Sequence, residues 1–204
     1  MIKKSLIVAN LLIYSTNAVA NTTQNSKSIV KSLQKNNIYV GLEFGTVSLQ
    51  STYKYDSNTV SSYHYQVESQ YSNIGLKIGT KLDSTSRAYF TLYQINSDDS
   101  VEMKMLSYDK IYNTESECLK VFIGGSYADY SIQANDASVD ISGNSLMINL
   151  GTIIKTKDNI ELEFGYKHSL MADGSDTITI SETSSKSWNI DAMQSFYFGI
   201  NYKF

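Results

Sequence analysis

The sequence predicts an all-β fold, a closed eight-stranded antiparallel transmembrane up-and-down β-barrel. Three observations carry this: an apolar–polar alternation over the last nine residues, seven further segments with the same period, and connections that alternate between short and long. In the terminal segment Phe196, Phe198, Ile200, Tyr202 and Phe204 share one face, while Tyr197, Gly199, Asn201 and Lys203 share the other. A strand face this rich in aromatic and aliphatic side chains must lie against something apolar. In a membrane-spanning barrel that is lipid, with the aromatics at the interfaces.

Residues 1–20 carry Lys3 and Lys4, an apolar run from Leu6 to Tyr14, and Ala18-Val19-Ala20. A basic start, a short apolar stretch and a small-residue end describe a secretory signal peptide. The apolar run is too short to span a bilayer as a helix, which takes about 20 residues. Residues 21–37 are polar, with one small apolar group, Ile29, Val30 and Leu33. They read as a periplasmic lead segment, and residues 38–204 as the outer-membrane barrel domain.

The first strand is expected from Ile38 to about Leu49, with Ile38, Val40, Leu42 and Phe44 opposed to Tyr39, Gly41, Glu43 and Gly45. The second runs from about Tyr71 to Leu82, with Ile74, Leu76, Ile78 and Leu82 opposed to Gly75, Lys77, Gly79 and Lys81. The third, Arg87–Asn96, can place Ala88, Phe90 and Leu92 outward with Tyr89, Thr91 and Tyr93 inward, and the opposite phase fits almost as well. In the fourth, about Val101 to Tyr112, Val101, Met103 and Met105 start in one phase while Leu106 and Tyr108 continue in the other, which suggests a bulge. The fifth, Leu119–Tyr130, sets Leu119, Val121, Ile123 and Tyr127 against Lys120, Phe122, Gly124, Ser126 and Ala128. The sixth, Leu146–Lys155, sets Leu146, Ile148, Leu150 and Ile154 against Asn149, Gly151 and Lys155. The seventh, Ile160 to about Leu170, sets Ile160, Leu162, Phe164 and Tyr166 against Glu161, Glu163, Gly165 and Lys167. The eighth starts near Trp188.

Connections near 83–86, 113–117 and 156–159 read as short, those near 50–70, 131–145 and 171–187 as long, and that near 97–100 as intermediate. With both ends in the periplasm this gives short inner turns and long outer loops. The sheet must close, because an open edge finds no water in hydrocarbon. A secreted β-sandwich would share the short alternating strands, but neither the terminal aromatic pattern nor the loop asymmetry follows from it.

Removal of residues 1–20 leaves 15 basic against 20 acidic residues, a net charge near −5. That balance speaks against a nucleic-acid partner, which selects a basic face. Cys118 is the single cysteine, so no intrachain disulfide can form, and it reads as a small wall residue. With only His64 and His168 beside it, no metal site is implied, nor any cofactor.

Eight strands enclose an interior that side chains fill. Charges of both signs on its wall should therefore pair, giving an interior polar plug of Glu43, Lys77, Lys155, Glu161, Glu163, Lys167 and Lys203. Glu43 and Lys77 fall at similar depth, and Glu161 or Glu163 is expected near Lys155, Lys167 or Lys203. A gated polar path would use the same residues.

The stretches Ile38-Tyr39-Val40-Gly41-Leu42, Leu162-Glu163-Phe164-Gly165-Tyr166-Lys167 and Phe198-Gly199-Ile200-Asn201-Tyr202-Lys203-Phe204 resemble the small OmpA-like and opacity-protein-like outer-membrane β-barrels. The resemblance implies an integral protein of the Gram-negative cell outer membrane, surrounded by lipid and lipopolysaccharide. It also implies that Phe198, Ile200, Tyr202 and Phe204 form the signal read by the barrel-assembly machinery. Members serve as adhesins, envelope-stabilising proteins or small pores. A non-enzymatic role is expected here, with surface loops that contact the envelope, a host or a neighbouring cell. Candidate contacts are Tyr53, Tyr55, Tyr63, His64 and Tyr65 in the first long loop, since tyrosine offers contact area at low entropic cost. Asp136, Asp140, Asp173, Asp176 and Glu182 lie in the later loops. A small-solute porin is the alternative, and a lipid A-modifying enzyme the third reading. His168 and Ser169 would have to act together in such an enzyme, yet adjacent strand residues face opposite sides. Tyr166 and Leu170 stand where a partner two residues away would be needed.

Overall fold

The computed structural model describes residues 37–57, 61–96, 100–133, 140–157, 159–181 and 184–204. The expected signal peptide, all but the last residue of the lead segment, Asp136 and Glu182 lie outside them. Among the described residues the strands are β1 (Ile38–Ser57), β2 (Tyr63–Asp83), β3 (Ser86–Asn96), β4 (Ser100–Asn113), β5 (Leu119–Gln133), β6 (Asp140–Lys157), β7 (Ile160–Ser181) and β8 (Ser184–Lys203). Each pairs antiparallel with its neighbours in sequence, and β8 returns to β1 from Tyr39↔Lys203 to Ser57↔Ser184. The backbone N–H of Phe204 donates to the Ile38 carbonyl at 3.2 Å, which closes the seam at the periplasmic end. Within the apolar band closure leaves no unpaired edge, the condition for a sheet in hydrocarbon.

Alternation decides which side chains meet lipid. Outward-facing Leu76, Ile78, Phe90, Leu92, Leu106, Ile123, Leu150, Phe164, Phe196 and Ile200 are all exposed, Leu106 at 60% and Phe196 at 62%. In water such a continuous apolar girdle would associate or aggregate, so the band belongs in the bilayer. Lys110 breaks it on β4 near the periplasmic end. Its ammonium reaches down to Thr85 Oγ1 at 2.7 Å, so the stem stays in lipid and the charge leaves it.

Three expectations change. The segments 50–70 and 171–187, read as long loops because they are polar, are mostly strand. β1 and β2 stay in register to Tyr55↔Tyr63, and β7 and β8 run on to Ser181 and Ser184. Beyond the bilayer both faces can meet water, so polar β-formers such as Thr, Ser and Tyr continue the ladder without an apolar face. The bulge expected in β4 is absent, because its pairing with β3 and with β5 runs without a shift. Val101, Met103 and Met105 all point inward together with Ser107, Asp109 and Ile111. The inner face is apolar in its outer half, and that produced the apparent change of phase. Cys118 is not a wall residue either; it lies exposed in the turn between β4 and β5.

Real shifts occur elsewhere. Leu146↔Met171 is followed by Met147↔Ser169, so Leu170 is an extra residue in β7, and Asp191 is skipped between Gln50↔Ala192 and Ser51↔Ile190. These irregularities sit where the barrel leaves the apolar band and its wall begins to project outward.

Candidate functional site

The lumen has two layers. The lower one is ionic and contains three acids, Glu43, Asp109 and Glu163, with three bases, Lys77, Arg87 and Lys167, all essentially inaccessible. Register explains their meeting. Gly199 is paired with Glu43 on one side and Glu163 on the other, so two carboxylates stand at one depth with no side chain between them. Lys77 bridges them, paired with Glu43 Oε1 and lying 3.1 Å from Glu163 Oε1. Arg87 faces Asp109 directly across β3 and β4; it donates from Nε and Nη2 to Asp109 Oδ2 at 2.9 and 2.7 Å, and from Nη1 to Glu163 Oε2 at 2.7 Å. Lys167 lies 3.1 Å from Glu43 Oε2 and also meets the Tyr93 hydroxyl.

Neutral donors complete the shell. The Tyr197 hydroxyl donates to Glu163 Oε1 at 2.6 Å and Asn201 Nδ2 to Glu163 Oε2 at 2.9 Å, while Asn149 Nδ2 donates to Asp109 Oδ1 at 3.1 Å. Aromatic faces take the remaining cationic surface: Lys167 Nζ lies 4.2 Å from the Tyr197 ring centroid, and the Arg87 guanidinium 4.7 Å from that of Phe122. Inward glycines make room for these rings. A Cβ on Gly165 would collide with the Tyr197 ring, and one on Gly151 with that of Phe122.

Of the residues expected in the plug, Glu43, Lys77, Glu163 and Lys167 are brought together here. Glu161 and Lys203 form a separate pair at the periplasmic mouth, with Lys81 3.4 Å from Glu161 Oε1. Lys155 is exposed on the rim, opposite Glu161, because it lies at the last turn of β6 where the wall already meets water. Arg87 and Asp109 were not expected there.

The upper layer is apolar. Val47, Leu49, Ile95, Val101, Met103, Met105, Tyr130, Ile141, Met147 and Met193 close over the ionic network as one buried cluster. Side chains therefore fill the lumen in two different ways, stacked along its axis.

Above this cluster the wall of β7, β8, β1 and β2 continues outward. Tyr53, Tyr55, Tyr63 and Tyr65 occupy its inner face, on paired strands instead of in a loop, and His64 faces Lys54 on the outer side. The Tyr53 ring lies 4.9 Å from that of Tyr65 and 4.8 Å from that of Trp188, and Tyr55 stacks on Tyr63 at 5.1 Å. Tyr63 and Tyr65 are 50% and 51% exposed.

On the lipid face Phe198, Ile200, Tyr202 and Phe204 point outward, with Phe198 5.0 Å from Phe164 and Tyr202 5.2 Å from Phe204. The Tyr166 hydroxyl donates to Gln194 Oε1 at 3.1 Å and lies 3.3 Å from His168 Nδ1, an interfacial polar cluster. Ser169 points to the lumen and its Oγ accepts the Met193 N–H at 2.7 Å, so His168 and Ser169 are on opposite sides of the wall. No group of His, Cys, Asp or Glu among the described residues could hold a metal ion.

No family model matches the chain, and no curated protein is similar to it in sequence. Solved structures are. The outer membrane protein OprG of Pseudomonas aeruginosa matches with a TM-score of 0.59 at 9% identity, over 82% of this chain and 96% of that one. The chain has the fold of the small eight-stranded outer-membrane β-barrels. OprH of P. aeruginosa (TM-score 0.49, 19% identity, 82% and 99% covered) and the Neisserial surface protein NspA (0.48, 14%, 82% and 97%) are also similar. With its girdle of exposed apolar side chains, this fold places the protein in the outer membrane.

Proposed function

We propose that this chain is a non-enzymatic outer-membrane barrel that acts at the cell surface through its projecting strands, above all the β1–β2 hairpin. The observation that carries the reading is the pair of half-exposed tyrosines, Tyr63 and Tyr65, held over buried Tyr53 on a paired wall beyond the apolar band. A lumen filled by ion pairs and then by apolar side chains supports it over a solute path. The separation of His168 from Ser169 supports it over lipid A chemistry. Lipid and lipopolysaccharide surround the barrel, and Phe198, Ile200, Tyr202 and Phe204, beside the β1–β8 seam, serve as its assembly signal.

The test is to shorten the hairpin. Thr52 and Gln66 are paired, so joining them through Asn-Gly removes Tyr53, Tyr55, Tyr63, His64 and Tyr65 and leaves a two-residue turn suited to an antiparallel pair. The shortened protein and the gene deletion should lose cell attachment alike, with solute uptake and lipid A mass unchanged in the shortened strain. If the deletion lowers small-solute uptake while the shortened strain attaches normally, transport through the barrel replaces this reading. A change in lipid A mass would point to the enzyme.

A further inference from the structure

We propose that the inner face of the projecting β7–β8–β1–β2 wall binds a cationic segment of a partner polypeptide. This rests on the surface role proposed above and names its partner by chemistry. Register assembles the face. Asp176 is paired with Trp188, Trp188 with Tyr53, and Tyr53 with Tyr65, which sets one carboxylate and three aromatic rings in a single row across four strands. The next row outward brings Lys186, Tyr55 and Tyr63 together. Strands lie about 4.8 Å apart, so a row of four spans roughly 15 Å, several times the width of one ammonium group and suited to a run of basic side chains.

Two independent features select a cation. Aromatic faces carry negative potential and attract Lys and Arg head groups that approach within about 6 Å of a ring centroid. Tyr63 and Tyr65 are the rings most open to such an approach, and their planes lie within 9° of each other. The field around them has the same sign. Among the described residues of the outer half (48–72, 94–104, 129–144 and 170–194) eight carboxylates stand against three lysines, Lys54, Lys104 and Lys186. Lys186 shares the second row but sits on β8, two strands from Tyr63, so the most open rings lie away from it. The ionic network within the lumen is neutral by itself and does not offset the surplus outside. Anionic glycans would be repelled, and a neutral glycan would have no use for the charge.

Trp188 is the only tryptophan of the chain, so its fluorescence reports on this face alone. The full chain, folded in nanodiscs of zwitterionic lipid, is titrated with decalysine, decaglutamate and dextran, with empty nanodiscs as control. Decalysine should shift Trp188 emission saturably, and affinity should fall about tenfold when ionic strength rises to shorten the screening length from ~10 Å to ~3 Å. Tyr63→Ser with Tyr65→Ser should weaken binding about tenfold, and Asp176→Asn alone severalfold, in barrels that keep their heat-modifiable gel mobility. Unchanged affinity in either variant, or tighter binding of decaglutamate or dextran, overturns the proposal. If decalysine fails to bind while hairpin shortening still abolishes attachment, the cationic partner is wrong and the surface role stands. If shortening has no effect either, both fall.

Discussion

Glu163 concentrates the residue-scale energetics of the lumen. Its two oxygens meet Lys77, Arg87, Tyr197 and Asn201, so every lone pair that burial removes from water is replaced by a donor. Glu163→Ala leaves two cations facing an empty volume, and loss of one partner of such a buried group costs about 3–5 kcal/mol. Urea unfolding of the variant in lipid vesicles should show a loss of that size, whereas a loss below about 1 kcal/mol would mean that water enters the lumen. Glu43, Lys77, Glu163 and Lys167 could be read from strand phase, because each lies in a segment with unbroken alternation. Arg87 and Asp109 could not. Arg87 lies in a strand whose two phases are almost equally apolar, so the sequence does not choose its side, and Asp109 shares a face with Met103 and Met105, whose apolar character disguised that face as lipid-directed. The shared odd numbering of Met105, Ser107 and Asp109 was the available signal.

At the scale of elements, polarity distinguished residues inside the bilayer from residues outside it and was mistaken for the end of the strand. The β1–β2 hairpin makes the difference measurable. Lys54 and His64 are paired outward, so in a Cys118→Ser background Lys54→Cys with His64→Cys should form a disulfide in the oxidising periplasm, while Lys54→Cys with Gln70→Cys should not. Equal cross-linking of both pairs would indicate an irregular loop. The inner turns behave differently. Between β2 and β3, Asp83 accepts hydrogen bonds from the Ser86 hydroxyl at 2.5 Å, the Thr85 backbone N–H at 2.6 Å and the Thr85 hydroxyl at 2.9 Å. These hold its carboxyl down at about 2, against an ordinary 3.8. A depressed carboxyl stabilises the fold above its unfolded value and loses that contribution as pH falls through its folded value. The advantage of the natural protein over Asp83→Asn in unfolding midpoint should therefore be full at neutral pH, shrink below about 4 and vanish below about 2. An advantage independent of pH would show that hydrogen bonding by the charged carboxylate is not its source.

For the molecule as a whole, fold and location followed from a few local rules because a membrane barrel must obey all of them together: alternation, closure and an apolar girdle. What the lumen contains was harder to read, since inward residues answer to one another and not to a common solvent. Their arrangement has a consequence for transport. The ionic layer, centred on Glu43, Lys77, Arg87, Asp109, Glu163 and Lys167, and the apolar layer, centred on Met103, Met105, Met147 and Met193, obstruct the same axis in series. An ion passing the first would still face an apolar constriction with no hydration, and one passing the second would meet charges that are already paired with one another. Planar-bilayer recordings should accordingly show no steady conductance for the natural protein. Arg87→Ala with Asp109→Ala, which removes a neutral pair, should leave the bilayer silent, and so should Met103→Ser with Met105→Ser. Only the combination of all four substitutions should conduct. Steady current from the natural protein would remove the sealed lumen from the case for a surface role, and current from either double variant would show that one layer alone forms the seal.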